Sequence, residues 1–123
     1  MSEADERKRE WRFYVTDMIG FCERVLDYTA GLDRASFVAS AMTYDAVLRN
    51  LELIGEAATH IPEAVRDAHP EIPWRAIVGA RNRLAHSYLL IDDEIIWTMI
   101  EDAVPSLLPA LRALLETTGE DRA

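Results

Sequence analysis

The sequence predicts an all-α protein, an antiparallel bundle of four to five helices. Apolar residues recur every three or four positions through most of the 123-residue chain, the spacing that gathers them on one side of a helix. No β-branched run alternates with polar residues as a half-buried strand would. Breakers such as Gly31, Pro62, Pro70 and Pro73 fall between the periodic segments. They leave short connections, which suit antiparallel neighbours.

One domain over 1–123 is expected, with 1–5 and 118–123 as the candidates for disordered ends. This length supports a single core. The first helix is placed from about Asp5 to Thr29, with Trp11, Tyr14, Met18, Cys22 and Val25 on its apolar face. Gly31 ends it, because glycine accepts the left-handed conformation of a helix C-cap. A second helix is placed from about Asp33 to His60, started by Asp33 or Ser36 as N-cap. Its stripe is Phe37, Ala41, Tyr44, Leu48, Leu51, Ile54 and Ala58. Gly55 sits inside this helix at a propensity cost of about 1 kcal/mol relative to alanine. Close approach of another helix is the expected reason.

A short helical piece from Pro62 to Ala68 ends at His69-Pro70, since the residue before proline is pushed out of helical geometry. Pro73 opens a third helix carrying Trp74, Ile77, Val78, Ala80, Leu84 and Ala85 and ending near Tyr88. The last helix starts near Asp92, where three acidic residues complement the helix dipole. Its stripe is Ile96, Met99, Ala103, Leu107, Leu111 and Leu114 or Leu115. Pro105 and Pro109 interrupt that pattern, so a bend or a junction of two helices is expected near Pro105.

Composition narrows the function classes. Hydrophobic residues make up 50% of the chain, which argues against disorder. No apolar run approaches a bilayer span, and the charged N-terminus lacks a signal's apolar stretch. A cytoplasmic location without membrane attachment is the expectation. The single cysteine, Cys22, reads as a buried, inert thiol. The formal net charge is −9, a poor start for a nucleic-acid binder. Between Ile72 and Ile91, however, there is no Asp or Glu, while Arg75, Arg81 and Arg83 all fall there. Arg75 and Arg83 on this island are the candidate RNA contacts.

The island contains Arg81-Asn82-Arg83-Leu84-Ala85-His86-Ser87-Tyr88. A permanent cation, an amide, an imidazole and a phenol within eight residues suit phosphate chemistry. RNA can be cut without metal or cofactor. The ribose 2′-OH attacks phosphorus while a base takes its proton and an acid protonates the leaving oxygen. Histidine serves because it titrates near working pH, and arginine stabilises the added negative charge. The bland alternative is a solvated arginine-rich face, with a histidine that only complements the helix dipole.

Geometry sets a condition. Each helical residue turns the direction by roughly 100°, so Arg81 and His86, five apart, differ by roughly 140°. Either the arginine reaches around, or the helix unwinds near His86, or two subunits share the site. The last option predicts a two-fold homodimer that juxtaposes two copies of this helix.

Arg81, four intervening residues, His86, one residue and Tyr88 resemble the R-x4-H-x-Y motif of HepT-like HEPN proteins. Asn82 fits the polar residue common after the arginine. Ile72-Pro73-Trp74-Arg75, Ile95-Ile96-Trp97 and the run from Arg49 to Ala58 are also similar to the family, and the resemblance spans roughly Tyr44 to Leu115. It implies a helical bundle, a homodimer and a metal-independent endoribonuclease site at the dimer cleft, leaving a cyclic phosphate. It further implies a toxin–antitoxin pair, with an MNT-type nucleotidyltransferase antitoxin that transfers AMP to the motif tyrosine. Carried onto this chain, Arg81, His86 and Asn82 are the catalytic set and Tyr88 the AMP acceptor. An adenylylated Tyr88 would set bulk and negative charge beside the cation meant for RNA.

Other groups read more plainly. Glu52 and Glu56 share a helix face, and His60 continues the series so that a Glu56–His60 contact can form, but a solvated or interface face fits better than a metal site. Arg49 with Glu52 suits a local ion pair. His69 is expected in a loop, and Trp74 and Trp97 in packing rather than base stacking. Arg7, Lys8, Arg9 and Arg12 are offset by Glu3, Asp5, Glu6 and Glu10, as at a solvated helix start. Two alternatives compete with the ribonuclease. One is a non-enzymatic accessory subunit for a nucleotidyltransferase, which the acidic surface favours. The other is a purely structural dimerisation unit.

Overall fold

The computed structural model describes residues 3–87 and 91–120, with side chains described over 10–86 and 91–116. The described residues form helices and no strand. These are α1 (Glu3–Thr29), α2 (Arg34–Ala39), α3 (Ala41–Ala58), α4 (Glu63–Ala68), α5 (Trp74–Ser87), α6 (Asp93–Thr98), a π-helical turn (Met99–Ala103) and α7 (Val104–Glu120). The all-helical bundle is as the periodicity predicts.

α1 buries Trp11, Val15, Met18, Cys22 and Val25, a run of fours and threes down one side. At its end the Thr29 hydroxyl donates to the Val25 carbonyl at 2.7 Å. Gly31 then turns the chain with φ +78°, a conformation that glycine adopts without steric penalty. Burial pushes the Cys22 thiol up to about 12, so it stays protonated and inert.

Asp33 caps α2. Its Oδ1 accepts the Ser36 N–H at 2.8 Å, and the Ser36 hydroxyl oxygen accepts the Asp33 N–H at 3.0 Å. The Ser36 N–H bond holds the Asp33 carboxyl below its ordinary range. The single long helix expected from Asp33 to His60 is broken at Ser40, which is extended at φ −97°, ψ 94°. Ser40 Oγ donates to Thr43 Oγ1 at 3.0 Å, a local bond of the kind by which serine competes with helical pairing. Phe37 is fully buried just before the break, with its ring 5.2 Å from Tyr44 and 5.5 Å from Trp97. Ala41, expected in the buried stripe, is exposed.

Beyond the break, α3 buries Val47, Leu48, Leu51, Ile54 and Ala58. α4 ends at Ala68, and Pro73 immediately precedes α5. The Trp74 indole N–H donates to the His69 carbonyl at 3.0 Å, so this tryptophan is a packed anchor.

Asp92 Oδ1 caps α6 by accepting the Glu94 N–H at 2.7 Å. The expected irregularity before Pro105 takes the form of the π turn, where the Val104 N–H reaches back five residues to the Met99 carbonyl. A wider turn relieves the clash of the proline ring with the preceding turn. It also shifts the register. Ile96, Ile100 and Val104 are buried, in place of the expected Met99 and Ala103, of which Ala103 is exposed. The stripe then continues through Leu107, Leu108, Leu111 and Leu114.

α1 packs against α3 and α7, whereas α5 rests on α3. Trp74 and Leu84 are the fully packed side chains of α5. The helix carrying the candidate motif thus has one face on the bundle and the rest outside it.

The Tyr44 hydroxyl ties α3 to the start of α6 by donating to Asp93 Oδ1 at 2.7 Å. Burial, then this bond to a carboxylate, raises the phenol to about 12. Tyr44→Phe is expected to cost about 1 kcal/mol in urea unfolding, the value for a bond to a charged group reduced for partial exposure. The sign with pH follows from the raised value. The contribution is complete below the ordinary value of 10.0 and is lost as pH climbs towards about 12.

Candidate active site

The site begins with a missing side chain. A Cβ built at Gly55 would collide with the Cβ of Arg81 and lie 2.9 Å from both the Arg81 Cγ and the Ile77 carbonyl oxygen. Glycine is therefore what lets α5 lie against α3 at this point, as its placement inside a helix predicts. The stem of Arg81 enters at Gly55, and its head turns to the next residue. Arg81 Nη2 lies 2.5 Å from Glu56 Oε2, and Nη1 donates to Asn82 Oδ1 at 2.9 Å. The Arg81 side chain is 30% exposed, and its buried Nε has no hydrogen-bond partner among the described residues.

The contact of Glu56 with Arg81 is what the sequence reading did not foresee. The stretch around Arg81 is acid-free along the chain but not in space, because α3 delivers a carboxylate to it. The signal in the sequence was Gly55 beside Glu56, a close-approach residue next to an acid. Glu56 Oε1 also lies 3.8 Å from His60 Nε2. The His60 ring stacks on Tyr14 with centroids 4.5 Å apart and planes 10° apart. Arg49 and Glu52 form the expected ion pair at 3.3 Å. His69 Nδ1 lies 3.2 Å from Glu71 Oε1. Among the described residues no cluster of His, Cys, Asp and Glu has the makings of a metal site.

Of the other predicted site residues, Asn82, His86, Arg75 and Arg83 are exposed on α5. Tyr88 lies outside the described residues. α5 stays helical through Ser87, so the motif is not unwound at His86. Arg81 faces α3, and His86 is turned roughly 140° from it. One chain therefore brings Arg81 and Asn82 together and leaves His86 facing another way. An apolar groove of about 300 Å³ flanks α5, with Ala76, Ile77 and Ala80 on one wall and Met99, Ala103 and Leu107 on the other.

No helix among the described residues is long and apolar enough to cross a membrane. The family described as Ribonuclease HepT-like matches residues 18–114, which takes in Glu56 and the whole motif. A Thermococcus cleftensis protein named as a probable ribonuclease HepT is 35% identical over 100 residues, covering 81% of this chain and 91% of that one. The Methanocaldococcus jannaschii protein MJ1380, whose name carries a provisional RNase designation, is 34% identical over 100 residues, covering 81% of this chain and 92% of its own. No solved structure matches the chain significantly. An all-α bundle with Arg81 and His86 on α5, together with this match over most of the chain, shows that the protein belongs to the HepT-like ribonuclease family of HEPN proteins.

Proposed function

We propose that the chain is a metal-independent endoribonuclease, the toxin of a toxin–antitoxin pair, acting as a homodimer with its site in the cleft between two copies of α5. Arg81 stabilises the charge that builds on phosphorus. His86 moves protons at the 2′-OH or the leaving oxygen, and Asn82 holds the arginine. The products are a cyclic phosphate and a 5′-OH. Exposed Arg75 and Arg83 contact the RNA backbone. An MNT-type nucleotidyltransferase neutralises the toxin by transferring AMP to Tyr88.

The observation that carries this reading is the Arg81 guanidinium, fixed at two atoms yet still partly exposed. A merely solvated arginine would not be held in this way. The direction of His86 supports sharing across two chains. The groove beside Ala76 and Ala80 supplies apolar surface for the second copy.

The overall acidity keeps one other reading in play, a non-enzymatic accessory subunit for a nucleotidyltransferase. One experiment separates the two. Purified, unmodified protein is incubated with an oligoribonucleotide in EDTA, and the products are analysed by mass spectrometry. Cyclic-phosphate ends are expected, with the protein sedimenting as a dimer. Intact RNA from clean, unmodified protein would favour the accessory role. With the nucleotidyltransferase and ATP added, the wild-type chain is expected to gain AMP and stop cutting, and Tyr88→Phe to gain none.

A further inference from the structure

We infer that Glu56 is a positioning residue of the ribonuclease site, holding the Arg81 guanidinium at the angle from which it meets phosphate. The inference rests on the ribonuclease reading above.

Three observations converge on it. The first is contact: Glu56 Oε2 lies 2.5 Å from Arg81 Nη2. The second is construction. Gly55 removes the side chain that would keep Arg81 away from α3, so the arginine stem reaches the backbone of α3 one residue before the acid. The third is division of labour. The guanidinium is a rigid planar fork with five N–H donors. Asn82 accepts one from Nη1, and the Glu56 carboxylate pairs with Nη2 as an ion pair. Contacts at both η nitrogens fix the plane of the fork, and with two N–H groups on each η nitrogen the head keeps donors for phosphate.

An arginine anchored only by its long aliphatic stem samples many rotamers and loses that freedom when it meets its ligand. One held from α3 and from its own neighbour loses less, and a preorganised charge needs little rearrangement in the transition state. Stability alone gives little reason for the pair. Glu56 is 44% exposed, and ion pairs in such settings contribute little to folding. Glu56 adds a negative charge close to where RNA phosphate must come. Its expected contribution is therefore to rate, not to RNA affinity.

The test is single-turnover cleavage of a fluorophore-labelled oligoribonucleotide at increasing protein concentration, with thermal melts of every variant. Glu56→Ala is expected to lower the limiting rate about 10²-fold, the scale of a misplaced catalytic group, without raising the half-saturating protein concentration. The isosteric Glu56→Gln, which keeps the size and an acceptor oxygen but not the charge, is expected to fall between Glu56→Ala and wild type. The double variant Arg81→Ala/Glu56→Ala is expected to be no slower than Arg81→Ala alone. Arg81→Lys serves as the background if Arg81→Ala falls below detection. Wild-type rates from Glu56→Ala beside an inactive Arg81→Ala overturn the role of Glu56 and leave the ribonuclease site standing. A faster Glu56→Ala, or full additivity in the double variant, overturns it as well. Undiminished cutting by Arg81→Ala sinks the site itself, and the role of Glu56 with it.

Discussion

His86→Ala is expected to lower RNA cleavage by about 10²–10⁴-fold, the usual contribution of a positioned general acid or base. His86 is exposed on α5 and makes no hydrogen bond or ion pair among the described residues. Its removal should leave stability within about 0.5 kcal/mol of wild type, as for ordinary surface substitutions. A melt at the wild-type temperature together with lost cutting separates chemistry from unfolding. Arg81→Ala is expected to lose about 10²–10³-fold, the cost of removing one preorganised charge-stabilising donor. Arg81→Lys should restore only part of it, because an ammonium keeps the charge but lacks the fork that spans Glu56 and Asn82. Mixing the two dead variants tests the shared site directly. If Arg81 of one chain works with His86 of the other, mixed dimers contain one intact site and recover activity. If both groups act within one chain, no recovery follows. Undiminished cutting by His86→Ala would remove its catalytic assignment altogether.

The parts of this arrangement that were legible in the sequence are those set by local chemistry. Gly31 marked the end of α1, Pro73 the start of α5 and Asp92 the start of α6, because each acts on the backbone within a turn of itself. The motif was legible as residue types at fixed spacing, and Gly55 as a close-approach position. What escaped was set by partners far along the chain or by weak competition. Ser40 interrupts a helix with a local bond to Thr43 that competes with helical pairing. The π turn inserts one residue into a stripe that otherwise keeps its period, so Ala103 read as buried. Glu56 lies 25 positions from Arg81 in the chain, and only the packing of α3 on α5 brings the two together. An acid-free stretch of sequence therefore overstated how electropositive the surface around Arg81 is.

Gly55→Ala is expected to destabilise the fold and to slow cleavage together. By helix propensity alone, alanine should gain about 1 kcal/mol at an interior helical position. Here the new methyl meets the Arg81 Cβ and the Ile77 carbonyl oxygen. Neither is the end of a flexible side chain, so the clash is relieved only by moving α5 away from α3. Overpacking of this kind costs about 1–3 kcal/mol, which outweighs the propensity gain over most of that range. The displacement also draws Arg81 away from Glu56, so the cleavage rate should drop further than the fraction unfolded explains. Gly79 supplies the control. It lies within α5, but a Cβ there meets nothing within 4 Å, so Gly79→Ala should stabilise the chain by about 0.5–1 kcal/mol. Urea unfolding of the two variants in parallel should give opposite signs. Equal stabilisation by both would mean that α5 does not lie on α3 as closely as the Arg81–Glu56 contact requires.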